Sequence, residues 1–174
     1  MAITASFSIM ANFKKIKPGP GQESVWDYPR PPKLEPFSGH IRIVFAGEVI
    51  LDTNKAWRIL ETSHPPTYYL PVADFKAGVL EPVHKKTFCE FKGMADYYDI
   101  VLGKHVAQQA AWGYAEPTGQ YGELKGTVSV YAHLVDSCFV NDERVQAQPG
   151  DFYGGWITSN IVGPFKGGPG TWGW

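Results

Sequence analysis

The chain has 174 residues, with 17 acidic side chains against 16 Lys and Arg, 44% hydrophobic and 19% charged residues. A formal net charge of −1 supplies no bulk field for DNA or RNA, and the apolar content excludes a wholly disordered chain. One domain of this size buries roughly 70% of the surface its unfolded chain exposes, and 19 glycines, 14 prolines and 14% aromatic residues point to short strands and turns rather than a helical bundle.

In chain order, residues 1–36 read as a Pro- and Gly-rich arm. Pro18-Gly19-Pro20-Gly21 and Pro29-Arg30-Pro31-Pro32 exclude helix interiors and central strands there. The short apolar stretch at the N-terminus ends in Lys14, Lys15 and Lys17 with no charged segment ahead of it, so no secretory signal is expected. A single β-rich domain is expected over residues 37–160. Residues 40–46 and 48–52 form a first hairpin about Ala46-Gly47, and 97–102 and 104–108 a second about Gly103-Lys104. Residues 127–131 alternate as a strand, and 136–140 with 143–146 make a third hairpin around Asn141-Asp142. Helix is expected only as single turns near 72–75 and 120–125. Val44 to Ile50 aligns over Ile100 to Val106. With a one-residue gap, Ala56-Trp57 falls over Ala111-Trp112 and Glu61 over Glu116, a pattern of two related halves. Residues 161–174 form a Gly-rich tail whose Trp172 and Trp174 are expected to pack back on the domain.

Two cysteines, Cys89 and Cys138, with no CxxC pair, are too few for a disulfide framework or a four-cysteine zinc site. No apolar run of about 18 residues exists to span a membrane. These features predict a cytoplasmic protein with free thiols, no metal and no cofactor.

Three constellations carry possible chemistry. Glu61, His64, Tyr68 and Tyr69 flank Pro65-Pro66, whose fixed φ would hold the imidazole at low entropic cost; His can then act as acid, base or ligand. Cys89 lies three residues before Lys92, whose ammonium favours the thiolate, with Gly93 and Tyr98 following. The third is an aromatic set: Trp57, Trp112, Tyr114, Phe152, Tyr153 and Trp156. Such walls bind flat or cationic ligands, and Trp156, behind the bare backbone of Gly154-Gly155, is the preferred wall. The competing structural reading is that His64 bonds a backbone carbonyl, Cys89 is a core thiol and the aromatics fill a β core. The other histidines, His84 and His105, fit no standard metal spacing with Glu61 or Cys89.

The stretches Leu60-Glu61-Thr62-Ser63-His64-Pro65-Pro66-Thr67-Tyr68-Tyr69, Thr87-Phe88-Cys89-Glu90-Phe91-Lys92-Gly93 and Tyr97-Tyr98 belong together. So do Ala110-Ala111-Trp112-Gly113-Tyr114, Phe152-Tyr153-Gly154-Gly155-Trp156 and Gly163-Pro164-Phe165-Lys166-Gly167. Together they resemble the domain of unknown function family 427 over about residues 37–170. The resemblance implies a fold of the β-tent kind, built of small coiled antiparallel sheets, and brings the nucleotidyltransferase label that members sometimes carry. The sequence has neither a Gly-rich phosphate loop ending in Lys-Ser or Lys-Thr nor an Asp-x-Asp pair for magnesium. It also lacks the CxxC knuckles through which β-tent relatives hold zinc. Where the family pattern has Cys-Pro-Tyr-Lys-Gly, this chain has Cys89-Glu90-Phe91-Lys92-Gly93. The expected function is a pocket for a small organic molecule, in which Glu61, His64, Cys89 and Lys92 carry acid–base or thiol chemistry. A protein-interaction module built on the aromatic tail, and a nucleotidyltransferase, are the alternatives.

Overall fold

The structure, a computed structural model, describes residues 13–174. Among the described residues strand makes up 46% and the helical 9% consists of 3-10 turns, so the protein is mainly β with several antiparallel sheets and no closed barrel. The strands begin with β1 (Glu23–Ser24), β2 (Lys33–Phe37), β3 (Ile41–Phe45), β4 (Glu48–Thr53) and β5 (Ala56–Leu60). Next come β6 (Thr67–Pro71), β7 (Leu80–Cys89), β8 (Gly93–Leu102), β9 (His105–Gly113) and β10 (Thr127–Val130). The last are β11 (Ser137–Val140), β12 (Glu143–Arg144), β13 (Gln146–Ala147), β14 (Trp156–Ile157) and β15 (Ile161–Val162). A seven-stranded sheet runs β2-β5-β6-β10-β9-β8-β7, and a four-stranded sheet runs β12-β11-β3-β4.

The three hairpins form where the turn residues call for them. Ala46 (φ 50) and Gly47 (φ 78), and again Asn141 (φ 48) and Asp142 (φ 65), are both left-handed, the geometry of the turn whose twist matches its strands. At Gly103-Lys104 only Gly103 is left-handed (φ 59). The β3–β4 hairpin lies in the four-stranded sheet and the β8–β9 hairpin in the seven-stranded sheet, while Trp57 and Trp112 both sit on the latter. The expected helical turns form at Val72–Asp74 and, six residues long, at Gly119–Leu124, and two further 3-10 turns form at Val25–Asp27 and Ala132–Leu134.

Four strands lack the alternation that marks a strand in sequence, each for a physical reason. β2 contains Pro36 and β7 contains Pro82, and both are edge strands, where a missing N–H is harmless. β7 is also mostly solvent-exposed and charged. β5 and β6 are interior strands covered on both sides, so they read as apolar runs.

The seven-stranded sheet has two apolar faces. One meets the four-stranded sheet, packing Tyr68, Leu70, Ile100, Ala111, Val128 and Val130 against Ile41, Ile43, Leu51 and Cys138, with Trp156 between. The opposite face carries Ile59, Tyr69, Ala95, Tyr97, Trp112, Tyr114 and Tyr131. Because successive strand residues point to opposite faces, the neighbours Tyr68 and Tyr69 are divided between the two.

The arm is stitched to the domain rather than laid loosely along it. Its strand β1 pairs in parallel with β15, and β2 completes the edge of the large sheet. Arg58 Nη1 donates to Glu23 (2.5 Å) and Nε to Glu35 (2.5 Å), tying both arm strands to β5. Val25, Tyr28, Leu60 and Ile161 bury one another in a small separate cluster. At the tail, Trp174 packs on Phe13 (ring centroids 4.4 Å) and Trp26 (5.3 Å). Trp172 departs from expectation: it is 84% exposed, on the rim of a surface groove it shares with Phe152. Among the described residues no helix is long and apolar enough to cross a membrane.

Candidate functional site

A cavity of about 270 Å³ opens on the aromatic face of the seven-stranded sheet. Its floor is built by β5, β6, β8 and β9 through Ile59, Tyr69, Tyr97 and Trp112; Tyr97 and Trp112 are directly opposed across β8 and β9. Its walls come from three connections: residues 61–66 between β5 and β6, the β7–β8 turn at 90–92, and the loop at 148–154.

The first wall is a fastened corner. Ser63, fully buried, stands at φ 72, a conformation that costs a non-glycine residue on the order of 1–3 kcal/mol and persists only where neighbours enforce it. They do so here: Ser63 N donates to the Val25 carbonyl (3.0 Å), and Lys166 N donates to that of Ser63 (2.9 Å). Thr62 Oγ1 donates to the Tyr28 carbonyl (2.6 Å). Arm and tail therefore hold the corner from both sides. On it, His64 Nδ1 donates to the Thr62 carbonyl (3.0 Å), which fixes the tautomer and leaves Nε2 with its lone pair. Burial pushes the His64 pKa below its ordinary value of 6.5; Glu61 opposes this shift, while Lys166 and Arg30 add to it. At neutral pH His64 is thus an uncharged base. Its ring meets Tyr153 edge-on at 4.8 Å. Glu61 is held by Arg30 (3.4 Å).

The second wall carries Cys89 and Lys92. The turn is pinned from outside: Thr118 N donates to the Lys92 carbonyl (3.1 Å) and Thr118 Oγ1 to that of Phe91 (2.9 Å). Gly93 (φ 104) allows the reversal, and a Cβ there would meet the Glu116 carbonyl oxygen at 3.3 Å. Lys92 is 8% exposed, with Nζ 5.7 Å from the Tyr114 ring centroid. Burial alone would lower its pKa, but Tyr69, Cys89 and Glu61 outweigh it, and the ammonium titrates above the usual lysine value. Burial likewise raises the Tyr69 and Tyr114 pKa values, so both phenols stay protonated.

The third wall uses the glycine pair. A Cβ on Gly154 would sit 2.0 Å from Cη2 of Trp112, and one on Gly155 2.6 Å from the Pro65 carbonyl oxygen. Bare backbone is what lets this loop press on the floor and on the proline corner. Tyr131 packs on Trp112 (4.4 Å) and donates to the Phe152 carbonyl (3.0 Å).

Eight of the eleven side chains predicted for the site line this cavity: Glu61, His64, Tyr69, Cys89, Lys92, Trp112, Tyr114 and Tyr153. Three do not. Tyr68 and Tyr98 point to the other face of the sheet and join the main core. Trp156 is 1% exposed, and its Nε1 donates to the Val130 carbonyl (3.0 Å), so it is a core residue rather than a wall. The cavity also takes Thr87, Tyr97, Tyr131, Gln148 and Lys166, which the sequence reading passed over. Strand parity opposite Trp112 singles out Tyr97, and Lys166 lies within the tail stretch that carries the family resemblance. His84 and His105 are exposed and lie outside the cavity. Among the described residues no three His, Cys, Asp or Glu side chains converge to hold a metal ion.

The protein is thus a mainly β domain with one aromatic-walled, polar-rimmed cavity on its large sheet. It belongs to the domain of unknown function family DUF427, whose profile, named NTP_transf_9, matches residues 33–141. The match covers two walls of the cavity, while Gln148, the 152–154 loop and Lys166 fall outside it, short of the residue 170 expected. No curated protein matches the sequence.

Proposed function

We propose that this domain binds a small organic molecule in the cavity over Trp112 and acts on it, where it acts, through His64 and Cys89. One observation carries the reading. Glu61 and His64 from the β5–β6 connection, and Cys89 and Lys92 from the end of β7 and its turn, meet in one aromatic-walled cavity instead of scattering over the surface. Sites of this kind pair an apolar lining with a few convergent polar groups. An uncharged imidazole with a free Nε2 is a general base, and a half-buried thiol in the same cavity is a nucleophile. The two unbridged thiols support a reducing, cytoplasmic setting.

Nucleotidyl transfer is the weaker reading, because the sequence has no Gly-rich phosphate loop ending in Lys-Ser or Lys-Thr. The interaction reading keeps one supporting observation, the exposed Trp172 (84%) and Phe152 (66%) along their shared groove.

Native mass spectrometry after exposure to a metabolite extract tests the proposal. The wild-type protein is expected to retain a small molecule that His64→Gln and Lys92→Met lose while Trp172→Ser keeps it. Retention lost only in Trp172→Ser would move the site to the tail groove. No retention by the wild type would overturn the reading.

A further inference from the structure

Lys92 is a buried ammonium without an acid. Among the described residues no carboxylate lies within 4.0 Å of Nζ, and residues 1–12 contain neither Asp nor Glu. The other cations around the cavity are engaged. Arg30 pairs with Glu61 (3.4 Å), and Lys166 Nζ donates to the Trp174 main-chain oxygen (2.9 Å). Lys85 Nζ lies over the Tyr97 ring, 4.4 Å from its centroid. Removing an ammonium from water without a carboxylate beside it is costly, and the Cys89 and Tyr69 side chains with the Tyr114 ring face supply only part of the compensation. The Lys92 charge persists at neutral pH.

Resting on the small-molecule reading above, we infer that the ligand is a small, flat monocarboxylate, its anionic end on Lys92 and its body on Trp112 and Tyr114. Among the described residues Lys92 is the cavity-lining ammonium with neither a carboxylate nor a main-chain oxygen on Nζ, and it matches one negative charge. A phosphate, with more oxygens and more charge, calls for several donors, and His64 brings none at Nε2 because its proton is committed to the Thr62 carbonyl. The aromatic walls suit an unsaturated or aromatic body, and about 270 Å³ limits it to roughly one ring with short substituents.

The experiment uses a pair of probes of one shape, benzoate and benzamide, titrated calorimetrically into the full chain, with inorganic phosphate as competitor. Benzoate is expected to bind about tenfold or more tighter than benzamide, with phosphate failing to displace it. In Lys92→Met the two probes become equal, with benzamide affinity within about twofold of the wild type. The ratio measured on the wild-type protein decides the matter even if that variant folds poorly. Equal affinities would overturn the carboxylate and leave the cavity as a binding site. Displacement by phosphate would replace the carboxylate with a general anion site. No binding of either probe up to about 20 mM overturns the inference, whereas the metabolite experiment judges the broader reading separately.

Discussion

His64 is where acid reaches the site first. Its folded pKa lies below the unfolded value because burial penalises the imidazolium. Below about pH 6.5 the unfolded chain therefore binds a proton that the folded chain refuses, so stability is full above that pH and is lost as pH falls through the lowered folded value. Thermal melts from pH 7.5 down to 5 are expected to show a Tm falling with acid, with part of that slope absent in His64→Gln. Identical slopes in the two proteins would show that burial does not lower the His64 pKa. The two thiols differ in access. Cys138 is 1% exposed and burial pushes its pKa up, whereas Cys89 lines the cavity. Iodoacetamide is expected to label Cys89 roughly tenfold or more faster than Cys138 in the folded protein; comparable rates would mean that Cys89 is closed off. At this scale the sequence is a good guide, since a proline corner next to a histidine and a lysine beside a cysteine are visible as residues. The hydrogen bond that makes His64 a neutral base is not, because it depends on how residues 61–64 curl.

At the scale of elements, parity and close approach decide which side chains reach the cavity. Tyr68 and Tyr69 look equivalent in the sequence, as do Tyr97 and Tyr98. One of each pair enters the cavity and the other the core, and only the strand registers say which. Trp156 shows the same limit: the glycines before it do signal close approach, but it is Trp112 and Pro65 that they approach. Gly154→Ala is therefore expected to cost about 1–3 kcal/mol in urea unfolding and to shift tryptophan fluorescence, since the new methyl overlaps the Trp112 ring. A change under about 0.5 kcal/mol would show that the loop does not press on the ring as described. Edge strands with prolines or charges, such as β2 and β7, escaped the pattern because nothing on their exposed side enforces alternation.

For the whole molecule, the arm and the tail are the surprise in the architecture. Composition marks them as extended and irregular, and their described residues hold only short strands and a 3-10 turn. Yet both bond to the His64 corner, through Val25 and Tyr28 on one side and the Lys166 backbone on the other. Long-range pairing of this kind leaves no local trace in a sequence. Val25→Ala, far from any ligand, removes apolar volume from a fully buried position beside the corner. It is expected to cost about 2 kcal/mol and to weaken benzoate binding together with stability. Unchanged affinity would make the corner self-supporting. A ligand cavity in which Lys92 anchors the anionic end is tested most directly by a crystal structure grown with benzoate. The ring is expected between Trp112 and Tyr114 with a carboxylate oxygen within about 3.2 Å of Lys92 Nζ. Benzoate seated only in the Trp172 groove, or a cavity holding water alone, would contradict it.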